Sequence, residues 1–236
     1  MTQDAYRESD LTARRYEVVG EPTARAAFIT RTYMHLLGAV LAFTCIEWFL
    51  FSSGIAWTMA QAMLSTSWLL VLGGFMLVSW IASRAAHRAR SIGAQYAALA
   101  GFVVAEAIIF VPLLAIAFIK APGAVQSAAT VTGIGFAGLT AVAFLSRKDF
   151  SFLGALLRWV GVVALVAIVA GVVFGFELGT WFSVGMIAFA GAAILYDTSN
   201  VIHHFPTDRH VAAALQLFAS VALMLWYVLR LFLSRD

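Results

Sequence analysis

Seven apolar runs, each long enough to cross a hydrocarbon core about 30 Å thick, recur along this 236-residue chain. They fall at residues 32–52, 66–83, 94–118, 124–145, 153–175, 180–201 and 211–233. Backbone polar groups in lipid must be satisfied internally, which leaves only helices and closed barrels. Barrel strands alternate over about 10 residues, whereas these runs are continuous and about twice that length, so all seven are predicted to be helices. Composition agrees: 62% of residues are hydrophobic and 11% are charged, against roughly 25% charged in a soluble domain. The expected fold class is therefore an all-α integral membrane protein, a seven-transmembrane-helix bundle. The formal net charge of +3 invites a nucleic-acid reading, but the basic residues lie between the apolar runs, so the basicity concerns topology and no nucleic acid is expected as a partner.

Arg7, Arg14, Arg15, Arg25, Arg31, Arg84, Arg88, Arg90, Arg147, Lys148 and Arg209 fall in connections on one side of the bundle, and Lys120 and Arg235 on the other. Basic loops stay in the cytoplasm. The N-terminus is thus expected inside and the C-terminus outside the membrane. The start, MTQDAYRESDLTARRYE, lacks the apolar region and cleavage site of a signal peptide. Residues 1–25 are polar and aperiodic and are expected to form a mobile cytoplasmic tail ahead of one membrane domain at 26–236. Trp48, Trp57, Trp68 and Trp181 fall near outer helix ends, as an interfacial aromatic belt would place them. Gly133, Gly135 and Gly138, and the Gly171 to Gly175 pair, are expected to let helices approach closely. Cys45, the single cysteine, allows no internal disulfide and no Cys-based metal site.

Charged side chains inside the runs mark candidate sites. Arg158 and Arg230 lie near helix ends and can extend to the interface. Glu47 is about one turn from an outer end, where hydration is expected. Glu106 falls close to the midplane, six residues before Pro112, which frees the carbonyl of Ile108 and is expected to bend the helix. Its carboxyl either lines a water-filled cavity or is protonated and bonded to a neighbouring helix. Asp197 lies within one or two turns of the cytoplasmic end of the sixth run, and Asn200, three residues on, shares its face. Arg84 ends the second run at the same side, so an Asp197 to Arg84 pair at matched depth would be either a gate or a permanent ion pair. Gln216 and Ser220, spaced i and i+4, give the last helix a polar stripe. His203, His204 and His210 follow Asp197 and could tune a gate, although loop histidines are ordinarily solvated bystanders. The chain carries no HExxH, Walker, dinucleotide or GxSxG signature, so no enzyme activity and no cofactor are expected.

The segments AEAIIFVPLL, FLSRKDFSFLG (144–154) and ILYDTSNVIHHF together resemble the Bax inhibitor-1 family in its bacterial YccA-like branch. The resemblance spans all seven runs. It implies a bundle with the C-terminal helix central and encircled by the other six. It also implies a calcium leak whose opening is set by pH through two aspartates, with an arginine near the end of the second helix as latch. Asp197 matches the first aspartate and Arg84 the latch, while Ser220 stands where the second aspartate would be. One carboxylate with hydroxyl, amide and water oxygens would bind calcium only weakly, because calcium prefers six to eight oxygen ligands. The expected function is a pH-modulated calcium or cation leak gated at Asp197, Arg84 and Ser220, with Glu106, Asn200 and Gln216 as pore-lining candidates. Besides the lipid bilayer and calcium or other cations, the resemblance suggests a different role, as a non-conducting partner of a membrane-anchored ATP-dependent metalloprotease.

Overall fold

The computed structural model describes the backbone of residues 3–88, 91–146 and 148–234, with side chains from Thr23 onward. Among the described residues eight helices follow one another: α1 (Gln3–Ser52), α2 (Ile55–Ser65), α3 (Trp68–Arg88), α4 (Ile92–Lys120), α5 (Ala124–Ser146), α6 (Leu153–Phe174), α7 (Gly179–His203) and α8 (His210–Leu233). Seven of them are long and apolar enough to cross a membrane, the first over Thr23–Ser52. No strand occurs among the described residues. The expected tail at 1–25 falls almost wholly on side chains outside the described ones.

The extra helix, α2, is only 11 residues long and so escaped a search for spanning runs. Gly54, in the left-handed region at φ 80°, turns the chain out of α1, and α2 packs on α1 and α4. Ala56 and Ala60 meet Val111 and Ala115 there. Gly175, at φ 73°, likewise ends α6. It is a C-cap, so the Gly171 to Gly175 pair does not form a helix contact stripe, because a left-handed residue cannot continue the helix.

Two helices make the centre. In α4 and α8, 67% of the most apolar window is buried, against 11–22% in the other spans. α8 is packed by α1, α3, α4, α5 and α7. The central place of the last helix is thus shared with α4, while α6 packs against α7 and shows most of its surface outward. Pro112 stays within α4.

Aromatic rings fill the space between these helices. Phe110, 1% exposed, meets Phe43 of α1 at 5.1 Å and Trp226 of α8 at 5.1 Å, both edge to face, a favoured geometry for paired rings. Trp68, expected at an interface, instead stacks on Trp226 at 6.0 Å. Trp48 and Trp181 point outward, 72% and 86% exposed. Gly135 and Gly191 let α5 and α7 close on Met224 of α8, since a Cβ at Gly135 would stand 3.4 Å from Met224 Sδ and one at Gly191 would stand 3.3 Å from Leu139 Cδ1.

Phe110→Ala should lower stability by about 3–5 kcal/mol through the cavity it leaves. Phe174→Ala, at a residue 78% exposed, should leave it nearly unchanged. Thermal unfolding in detergent would compare the two.

Candidate functional site

α7 and α8 run antiparallel and are joined by residues 204–209 at the end of the bundle that also carries the α3–α4 and α5–α6 connections; this is called the basic end below. Asp197 faces α8 two turns before the end of α7. The i, i+4 spacing of Gln216 and Ser220 places both on the opposing face. Gln216 Nε2 donates to Asp197 Oδ1 at 2.6 Å, and Ser220 Oγ donates to Oδ2 at 2.5 Å. Asp197 is 3% exposed and Ser220 8%. Burying a carboxylate costs several kcal/mol even after relaxation, and each hydrogen bond to a charged group offsets about 1.5–3 kcal/mol of that. Both donors come from α8, so the charge and its solvation tie the two helices together.

Behind this seam lies a second group of polar atoms. The Tyr33 hydroxyl of α1 approaches the Thr198 hydroxyl of α7 and the Thr140 hydroxyl of α5, with the Asp197 charge within electrostatic reach. Among the described residues none of the three hydroxyls reaches full hydrogen-bond geometry, and all are shielded from solvent. Thr198 is 0% exposed. Three helices therefore present oxygen to one another beside the buried acid.

The α5–α6 connection docks on the other side of α7. Ser199 Oγ accepts from the Phe150 N–H at 2.8 Å and donates to Asp149 Oδ1 at 3.3 Å. Asp149 Oδ2 meets His204 Nε2 at 2.8 Å, and the Ser151 N–H donates to Oδ1 at 2.8 Å. The Ser151 N–H first, then the His204 ring, hold the Asp149 carboxyl down to about 2. His204 is accordingly a bonded partner, and the expectation of a solvated bystander does not hold for it. His210, expected in the loop, starts α8 and is buried, its ring 4.9 Å from that of His35.

Arg84 does not reach Asp197. It is exposed, and its guanidinium lies over the ring of Trp80, one turn earlier, at 5.3 Å. The physical reason is architectural: among the described residues α3 packs on α4 and α8 and does not meet α7, so α8 stands between the expected partners. Glu106 is 6% exposed and makes no hydrogen bond among the described residues; Glu47 is 7% exposed with both carboxylate oxygens buried and unpartnered, contrary to the hydration expected of it. α2, packed on α1 and α4, occupies that end of the bundle. Asn200 is buried, but its contribution is its carbonyl, which accepts from the His204 and Phe205 N–H groups at 2.8 Å each. Among the described residues no three His, Cys, Asp or Glu side chains gather as metal ligands, so Asp197 would meet any cation as a single carboxylate.

Residues 25–236 match the family described as Inhibitor of apoptosis-promoting Bax1. The chain belongs to this family. An uncharacterized protein of Pseudomonas aeruginosa is 32% identical over 46% of this chain and 49% of its own length. Uncharacterized proteins of two Neisseria meningitidis strains, serogroups A and B, are each 32% identical over 56% of this chain and 60% of theirs. The aligned stretches thus span about half to three-fifths of those relatives.

Two outcomes follow from the geometry. Ser220→Ala strips one donor from a buried acceptor and should cost about 1–3 kcal/mol, measurable as a drop in thermal stability in detergent at neutral pH. Asp149, whose carboxyl is held low, contributes stability that is present above the ordinary carboxylate range and is lost only as pH falls toward about 2. Protection of the Phe150 and Ser151 amides against hydrogen exchange should therefore persist through mildly acidic pH; loss of protection in that range would contradict the assignment.

Proposed function

We propose that this member of the Bax inhibitor-1 family is a pH-modulated cation leak of a bacterial inner membrane, with Asp197 as its gate and calcium among the ions passed. The observation that supports it is the carboxylate of Asp197, 3% exposed and tied across the α7–α8 seam by Gln216 and Ser220. An ionised carboxylate accepts at both oxygens, which suits two donors. Once protonated, it carries a donor of its own, and one of the two α8 groups must turn to accept. Ser220 can do this by rotating its hydroxyl, whereas Gln216 would have to flip its amide. Charge-assisted bonds are about twice as strong as neutral ones, so acid loosens the seam and lets α7 and α8 separate. The Tyr33, Thr140 and Thr198 hydroxyls would then offer oxygen to a passing cation.

In this reading the basic end faces the cytoplasm, following the distribution of Arg and Lys, and the N-terminus is inside. The chain performs no covalent chemistry. Ser220 in place of a second acid leaves the gate with one carboxyl, so its titration is that of a single group and calcium is held weakly. The same substitution favours a second reading, a non-conducting partner of a membrane-anchored ATP-dependent metalloprotease.

The test is calcium flux from liposomes containing the purified protein. Flux should rise as pH falls, Asp197→Asn should hold it at the acid level at every pH, and Ser220→Asp should split the profile into a coupled pair of titrations. Flux equal to that of empty liposomes at all pH values would end the leak reading, and co-purification of such a protease would then support the second.

A further inference from the structure

The two most distinctive segments of the sequence, RKDFSFLG and LYDTSNVI, form one unit in the fold. Asp149 and Phe150 of the first bond Ser199 of the second and His204, two residues beyond it. Gly154, at the start of α6, lies so close to α7 that a Cβ there would stand 2.8 Å from the ring of Tyr196. Tyr196 and Ser199 are three residues apart and share a face of α7. Asp197 does not share it, because Ser199 is about 200° around the helix from Asp197 at 3.6 residues per turn. The loop therefore bears on the back of α7 while the carboxylate faces α8 on the front.

A second tie holds the same helix end from another direction. Arg25 of α1 donates through Nη1 to the Phe205 carbonyl at 2.6 Å and to the Val201 carbonyl at 3.5 Å. These carbonyls belong to the last turn of α7 and its exit, where a cation is favourably placed against the helix dipole. The Arg25 guanidinium also lies 5.4 Å from the Phe28 ring, which stacks on Phe205 at 6.4 Å. From α3 the contact is made by His87, whose carbonyl accepts from Arg209 Nη1 at 2.7 Å and whose ring lies 6.0 Å from that of Phe205, while Arg84 turns outward.

We propose that the α5–α6 loop is a clamp, with Asp149 as its positioning residue, that presses the end of α7 onto α8 and so keeps Asp197 sealed. The clamp takes the role expected of Arg84, but from the far side of α7, and Arg25 completes it. A carboxylate that reaches both Ser199 and His204 spans more than one turn of α7, so it resists both sliding and unwinding of that end. The proposal extends the gate reading by naming what holds the seam shut, and its primary test does not depend on conduction.

Thr198 is fully buried beside Asp197, and Cys45 is the single cysteine, so Thr198→Cys in a Cys45→Ser background reports opening of the seam by its rate of maleimide labelling in purified, monodisperse protein. Asp149→Ala should raise that rate several-fold, and His204→Ala should raise it less. Asp149→Asn, which keeps an oxygen for the Ser151 N–H and Ser199, should fall between wild type and Asp149→Ala. Combining Asp149→Ala with His204→Ala should add little beyond Asp149→Ala alone, because the two changes remove one shared bond. Glu177→Ala, remote in sequence at the other end of the bundle, should have no effect. An unchanged rate in Asp149→Ala, or equal increases in all variants including Glu177→Ala, would overturn the clamp. Should the liposomes show no flux while labelling follows this order, the leak reading fails and the clamp stands.

Discussion

A carboxylate inside an apolar bundle must be given donors or lose its charge, and at Asp197 both donors come from one neighbouring helix. Gln216 and Ser220 sit at i and i+4 on α8 and donate to the two carboxylate oxygens at 2.6 and 2.5 Å. The rest of the basic end is arranged around keeping that meeting in register. In the proposed clamp α7 is pressed onto α8 from behind, and the carbonyls at its C-terminal end are satisfied from the same end of the bundle. Asp149, Phe150 and Arg25 meet these two needs from two different elements.

The seam links packing to electrostatics. α8 is one of the two most buried helices, and apolar side chains such as Leu217, 0% exposed, alternate along it with the polar stripe. Helix association in lipid gains nothing from removing apolar surface from water, so close packing and interhelical hydrogen bonds must supply it. The contacts of Gly135 and Gly191 with Met224 and Leu139 provide the first, and the Asp197 bonds provide the second. A change of charge at one residue therefore acts on an interface that is otherwise mostly apolar, with Thr180 donating to Ser234 at 3.4 Å at its opposite end.

Ser220 alters the chemistry expected of the family. Two carboxyls in one site would repel and titrate together, whereas a hydroxyl can donate to the ionised acid and accept from the neutral one. A hydroxyl partner is thus available in both protonation states, with the weaker bond to the neutral acid. In the proposed leak, this places more of the burden of closure on the ties at the back of α7.

Much of the architecture was legible in the residue order. Seven spans, their helical nature, the place of Asp197 inside an apolar run and the shared face of Gln216 and Ser220 follow from run length, from the absence of other ways to satisfy a backbone in lipid, and from i, i+4 spacing, all of which are local properties. α2 was invisible because 11 residues cannot span, and its helical state depends on packing over α1 and α4. Arg84 was misplaced because matched depth says nothing about azimuth: two side chains at one level can have a helix between them, and only the packing of α3, α8 and α7 decides this. Asp149, Ser199 and His204 lie in segments that stood out as motifs, yet their bonds join positions 50 and 55 residues apart, and no periodicity predicts which loop folds back on which helix end. Sequence alone thus determined that there are seven spanning helices and which polar groups they carry, because length and hydropathy act residue by residue. Tertiary structure decided which of those groups meet, because contact depends on the rotation of each helix about its axis and on the order in which helices surround the centre.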